Sequence, residues 1–231
     1  MTGRDVLADL LGSSNTSSQF YYGVTVGLVT NTKDEAALGR VKVKLPWMSN
    51  DDESDWARVL TPMAGANRGI YFPLEVNDEV LVAFEHGNID EPYILGALWN
   101  GKDAPPDSNK QGKNNIRMIK SRSGHVIILD DTDGEEKIII RDKTQNNEIL
   151  IDSKTDSVTL KVKKNFKVEA QGDITLKSSG DVAIEGNNVS IEANKKCEIR
   201  SQNTCTVQAT KEIALNCLSG VNVNYGALEV K

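Results

Sequence analysis

From residue 158 onward the chain repeats itself. Apolar pairs spaced by two fall at Val158/Leu160, Phe166/Val168, Ile174/Leu176, Val182/Ile184, Val189/Ile191, Cys197/Ile199, Cys205/Val207, Ile213/Leu215 and Val221/Val223. The step is eight residues except between Val182 and Val189, where it is seven, and there "EGNN" is a turn able to absorb a deletion. A fixed short period means a stacked architecture. Each step reads as one strand with two inward side chains, followed by a polar corner. Burying two such side chains contributes about 3–6 kcal/mol. Ordering eight backbones costs about 8–16 kcal/mol. Burial alone therefore cannot hold a step, and each strand must find N–H and C=O partners above and below. Two prisms meet that demand. One chain can coil with three octads per turn, or three identical chains can wind together with one face each per layer. The periodicity leaves both open. Irregular pairs at Ile127/Leu129, Ile138/Ile140 and Ile149/Ile151 read as longer turns at the start of the array.

The rest of the chain also alternates with a period of two. Residues 20–100 hold five or six short apolar runs punctuated by Pro, Gly and Asn, the pattern of a small closed β-barrel. "VTVGLV" sets Val24, Val26 and Leu28 on one face. "RVKVKLP" sets Val41, Val43 and Leu45 on one face, with Arg40, Lys42 and Lys44 opposite. Residues 101–116, "GKDAPPDSNKQGKNNI", form a linker to a second domain over 117–231. Residues 1–19 read as a short amphipathic segment and a tether. Val6, Leu7, Leu10 and Leu11 share one helical face, Gly12 stops it, and "SSNTSS" follows. So short a helix needs a partner to be stable.

Composition excludes several classes. No run of 18 apolar residues exists, and the N-terminus has the acidic residues and lacks the apolar stretch that tell against a secretory leader. Synthesis in the cytoplasm is the expectation. The net charge of -6 is carried by residues 20–100, and no region is a basic stripe, so a nucleic-acid partner is not expected. Three cysteines (Cys197, Cys205, Cys217) make no CxxC pair. Their odd count argues for reduced thiols, and Cys197 and Cys205 read as small core residues.

The middle of the chain carries a specific pattern: "GRVKVKLPW" (39–47), then "DWARVLTPMAGANRGIYFPLEVNDEVLVAFEHGNIDEPYILGALWNG" (55–101). It resembles the OB-fold domain of VgrG and phage baseplate assembly protein V, the central spikes of contractile injection systems. "SGHVIILDDTDGEEKIII" (123–140) resembles the start of the spike's β-helix. The resemblance implies an all-β fold: a small OB-fold barrel, then an intertwined trimeric β-helix, a triangular prism of octads. It implies a homotrimer that is not an enzyme, takes no cofactor and pierces a target envelope. VgrG proteins carry hub-like domains before the OB-fold, whereas 19 residues precede it here, so a separate hub is expected, contacted by Val6, Leu7, Leu10 and Leu11. Tube and baseplate proteins follow as indirect partners. Short phage spikes close their tip with an HxH iron site. With only His86 and His125 present, a PAAR-type cap is expected instead, touching Val221, Val223, Tyr225, Leu228 and Val230.

Other features tempt a different reading. "NDDESD" (50–55) holds paired carboxylates but reads as a solvated loop, and "DDTDG" (130–134) reads as a tight turn rather than a calcium loop. Lys42 and Lys44 with Trp47 and Trp56 could suit an oligonucleotide, but the acidic balance of the domain opposes that. The rival function is a β-helical tailspike that degrades polysaccharide. It needs convergent carboxylates in a cleft, and the octads carry no long loops to build one.

Overall fold

A computed structural model describes residues 20–221. The all-β expectation is borne out: the one helical piece among the described residues is a 3-10 turn at Glu85–Gly87. The first strands are β1 (Thr25–Asn31), β2 (Lys42–Lys44), β3 (Arg58–Val59), the small hairpin β4 (Ala64–Gly65) and β5 (Arg68–Gly69), then β6 (Glu79–Phe84) and β7 (Pro92–Ala97). Five of them form one sheet in the order β2-β1-β6-β7-β3. All neighbours are antiparallel except β3 and β7. Val41 and Ala57 then exchange two backbone hydrogen bonds, of 3.0 and 2.8 Å, and join the outer strands. The sheet is thereby a closed, OB-like barrel with no free edge.

Its core is Val29, Val41, Val43, Leu45, Ala57, Val80, Val82, Phe84 and Ile94. The face Val41, Val43, Leu45 points inward as the alternation requires. The face Val24, Val26, Leu28 does not. These three are exposed, and Gly27 and Val29 of the other parity are buried. The reason lies at Gly27. A Cβ there would stand 3.1 Å from Val82 and 3.4 Å from Leu45 and Val43, tighter than side chains ordinarily pack, so glycine lets β1 approach the core without displacing them. An inward glycine hides the buried row from a pattern that looks for large apolar residues.

Two loops are held by single polar side chains. The Asp34 carboxylate accepts backbone N–H groups of Ala36 (3.1 Å), Leu38 (3.1 Å) and Arg40 (3.3 Å), and the Arg40 guanidinium at 2.8 and 3.0 Å. Ala37 and Gly39 can then take positive φ, 54° and 70°. The Arg40 side chain, above all, holds the Asp34 carboxyl well below the usual range. In "NDDESD" the buried residue is Ser54. Its hydroxyl accepts the Val43 N–H at 3.0 Å and donates to the Asp55 carbonyl at 2.7 Å.

The second sheet is an antiparallel meander of β8 (Ile116–Lys120), β9 (Val126–Asp130), β10 (Lys137–Arg141), β11 (Glu148–Asp152) and β12 (Ser157–Lys161). The pairs Ile127/Leu129, Ile138/Ile140 and Ile149/Ile151 are therefore hairpin strands that reverse, not longer turns of a stack, and Val158/Leu160 belong to the last of them. An aspartate at or beside a strand end ties each of the last three reversals. Asp130 accepts Thr132, Asp142 accepts Thr144, Asn146 and Asn147, and Asp152 accepts Lys154 and Thr155. "DDTDG" is such a turn. The Thr144 hydroxyl, joined by the Asn146 and Asn147 groups, lowers the Asp142 carboxyl to about 2.

The chain divides into two compact units after Lys167. In the second, residues 168–221 bend at 171–172, 179–180, 187, 194–195, 202–203, 210–211 and 218–219 and run straight between. Among the described residues, no ladder pairs these straight segments.

Two variants test the loop anchors. Ser54→Ala strands the buried N–H of Val43 and should destabilise the barrel by about 1–3 kcal/mol in chemical denaturation; an unchanged midpoint would refute the anchoring role. Asp34 is ionised more readily folded than unfolded. Its contribution is therefore complete above its ordinary value of 3.8 and is lost as pH falls below it. Asp34→Asn should lower the melting temperature at neutral pH, with the gap to wild type closing below about pH 4. A gap that is constant with pH would overturn this.

Candidate interaction surfaces

No group of three or more His, Cys, Asp or Glu among the described residues could hold a metal ion. His86 lies in the 3-10 turn, and the His125 Nδ1 accepts the Lys143 N–H at 3.2 Å. What the molecule presents is apolar surface, in four places.

The first is one face of the meander. Register sets Ile119, Ile127, Ile140, Ile149 and Leu160 in one row, and Arg117, Leu129, Ile138, Ile151 and Val158 in the next. All are exposed. The other face carries Met118, Ile128, Ile139 and Leu150 between rows that hold charges, including an Arg141–Glu148 ion pair at 2.5 Å. Both faces of this sheet are thus rich in apolar side chains, as in strands covered on two sides.

The second surface is the repeat. Phe166, Val168, Ile174, Leu176, Val182, Ile184, Val189, Ile191, Cys197, Ile199, Cys205, Val207, Ile213, Leu215 and Val221 are all exposed, and Leu176 reaches 80%. Val223 lies outside the described residues. The first member of each pair stands two residues after its bend, at every step, including the seven-residue one. The sequence pattern therefore matches the backbone corner for corner. One signal was missed. Two residues beyond each pair, before the next bend, stand Ala170, Ser178, Gly186, Ala193, Ser201, Ala209 and Cys217. These share the parity of the apolar pair but are small, as a tight corner demands.

The third surface is the barrel end where residue 20 begins. Tyr21 packs on Trp47 (5.0 Å between ring centres) and edge-on to Phe84 (5.7 Å), and Phe20 stacks with Tyr22 (5.9 Å). Gly87 has φ +82° and its missing Cβ would meet the Tyr22 ring at 3.0 Å. Phe20, Tyr22 and Trp47 remain exposed. "QFYYG" could have revealed this end in the sequence. The candidates Val6, Leu7, Leu10 and Leu11, and at the other terminus Tyr225, Leu228 and Val230, lie outside the described residues.

The fourth surface is a groove of about 310 Å³ at the opposite end of the barrel, lined by Leu38, Leu60, Ile70, Tyr71, Phe72 and Leu74. Beside it Glu75 pairs with Arg122 of the β8–β9 loop at 2.8 Å. The basic row does not form an open platform for bases. Arg40 and Lys42 both lie over Trp56, at 5.7 and 5.6 Å, and pair with Asp34 and Glu53, while Lys44 donates to Asn50. Trp47 turns away into the aromatic end.

Residues 25–99, the barrel strands, match the family described as the type VI secretion system/phage-baseplate injector OB domain. The chain is 30% identical over 126 residues to the type VI secretion system spike protein VgrG1b of Pseudomonas aeruginosa, covering 48% of this chain and 17% of that protein. It is 31% identical over 124 residues to VgrG1a of the same organism, covering 47% and 19%. It is 28% identical over 110 residues to a Vibrio cholerae protein named actin cross-linking toxin VgrG1, covering 44% and 10%. The matched stretch thus spans less than a fifth of each relative. Over residues 25–99 the chain is thus similar to the type VI secretion system/phage-baseplate injector OB domain, and over just under half its length to the VgrG spike proteins.

Proposed function

We propose that this chain is the central spike of a contractile injection apparatus and works as an intertwined homotrimer. The observation that carries this reading is the run of straight segments with a regular bend at each step, whose described apolar residues are all exposed and which have no strand partner among the described residues. Three copies wound together supply both missing things. Each octad lays one strand on one face of a β-helical prism, its backbone is paired above and below by neighbouring copies, and its apolar pair turns to the common axis. The work is mechanical, not enzymatic. A narrow rod paired along its whole length concentrates the force of sheath contraction on the target envelope.

The two ends have different partners. The aromatic end of the barrel, with the preceding Val6, Leu7, Leu10 and Leu11, meets a separate hub and through it the tube and baseplate. The C-terminal end, at Val221, Val223, Tyr225, Leu228 and Val230, takes a PAAR-type cap, because an open stack end is an aggregation hazard. The protein is made and assembled in the cytoplasm, and needs neither cofactor nor nucleic acid.

Light scattering with small-angle scattering tests the core of the proposal. The expected particle has three times the chain mass of 25.3 kDa. Its eight octads from Phe166/Val168 onward climb one layer each and give a rod section about 38 Å long, against about 13 Å for a single coiled chain. A compact monomer would remove the mechanism. Truncation tests the ends: loss of residues 1–12 should weaken hub capture, loss of 221–231 should abolish cap capture, and neither should dissolve the trimer. Undiminished capture by either truncated chain refutes that end's assignment.

A further inference from the structure

Cys197 and Cys205 stand at the same place in consecutive straight segments, each two residues after its bend, at 194–195 and 202–203. Both are free thiols exposed on the chain. At every other step this position is Val, Ile or Phe. We propose that in the assembled spike Cys197 of each copy stacks on Cys205 of a neighbouring copy, reduced until a peroxide oxidises the pair to a disulfide, whereupon three such bonds close the trimer into one covalent ring.

The inference rests on the intertwined trimer proposed above. In that winding a chain moves to the next face as it climbs one layer. On any one face, the strand above an octad is therefore the following octad of a neighbouring copy. The residue stacked over Cys197 is then its octad equivalent, Cys205, at the interstrand spacing of about 4.7–4.9 Å. That lies inside the 4.4–6.8 Å range of Cα separations that a disulfide spans. Within one chain the two residues are separated by an extended leg and a bend, roughly 15–20 Å at strand rise, too far to join. Cys217 is an internal control. Its octad equivalents are Ala209 and Tyr225, so no thiol stacks on it.

The oxidant is a peroxide. Hydrogen peroxide is small enough to reach thiols inside a prism. The Cys197 thiolate attacks one peroxide oxygen and breaks the O–O bond, giving a sulfenic acid and hydroxide. The neighbouring Cys205 thiol then displaces the sulfenic oxygen. An S–S bond forms, and the thiol protons and peroxide oxygens leave as two waters. Two thiols are oxidised, and one peroxide is reduced.

The test treats the intact chain with hydrogen peroxide and follows it on a denaturing gel without reductant. The wild type should run at three times 25.3 kDa and return to one chain on reduction. Cys197→Ser and Cys205→Ser should each run as single chains. Cys217→Ser should cross-link like the wild type. Tryptic digestion should yield residues 197–200 joined to 201–211. Light scattering of the same samples separates the two claims. A native trimer that runs as single chains after peroxide overturns the disulfide and leaves the spike reading standing. A native monomer overturns both. Cross-linking that survives Cys205→Ser and is lost in Cys217→Ser overturns the assigned pair.

Discussion

Among the described residues, those beyond 161 join no backbone ladder within the chain, and the repeat depends on how those backbone groups are paired. A straight segment in water can solvate its N–H and C=O groups, but it then has no reason to stay straight. An exposed apolar pair every eight residues supplies a reason only when something covers it. On the proposed reading the repeat is half of a structure, and its regularity specifies the other half, because a surface with that period is complementary to itself. On the proposed reading, three copies satisfy the polar and the apolar demand with the same contacts. The rod can then be thin without being weak: each layer is held by ladders to the layers on both sides.

The barrel stands in contrast. It closes its own sheet through Val41 and Ala57 and buries its own core. It can fold as a local unit before any partner arrives. The meander is intermediate. Its strands pair fully with one another, and aspartates settle three of its reversals, yet it leaves apolar rows exposed. Along the chain, self-sufficiency falls from barrel to meander to repeat. On the proposed reading, a chain that first folds and then winds with others gains from that order, since the independent part can anchor the chain while the dependent part finds its neighbours.

How much of this was legible in the sequence follows from what sets each feature. The corners of 168–221 were legible, because the bends fall where the polar steps place them, whereas Val158/Leu160 belongs to a strand that reverses. The closed barrel was legible as a class from its short alternating strands. The facing of β1 was not, because Gly27 carries no side chain to mark the buried row. Nor was the meander. Strands of five residues with Ile at the same two places look alike whether the chain reverses or continues around a corner. What separates the two is loop length and the aspartates that tie the reversals, and these read as ordinary polar turns until the pairing is known. The aromatic end was legible only in part: "QFYYG" is local, but Trp47 and Phe84 are far from it in sequence and join it only when the barrel closes.

The seven-residue step shows how such a repeat tolerates a deletion. In a β-strand the loss of one residue carries every later side chain to the opposite face. Up to Ile184 the apolar pairs occupy even positions, and from Val189 they occupy odd ones. A single uninterrupted alternation would have turned the later apolar pairs to the opposite face. Here the shortening falls on the bend, which narrows to residue 187 alone, and Val189 still stands two residues beyond it. Each straight segment thus takes its facing from its own corner and not from the segment before. Register is reset at every step. An array built this way can lose a corner residue and keep its core, whereas the same loss inside a straight segment would put a polar side chain where the apolar pair belongs.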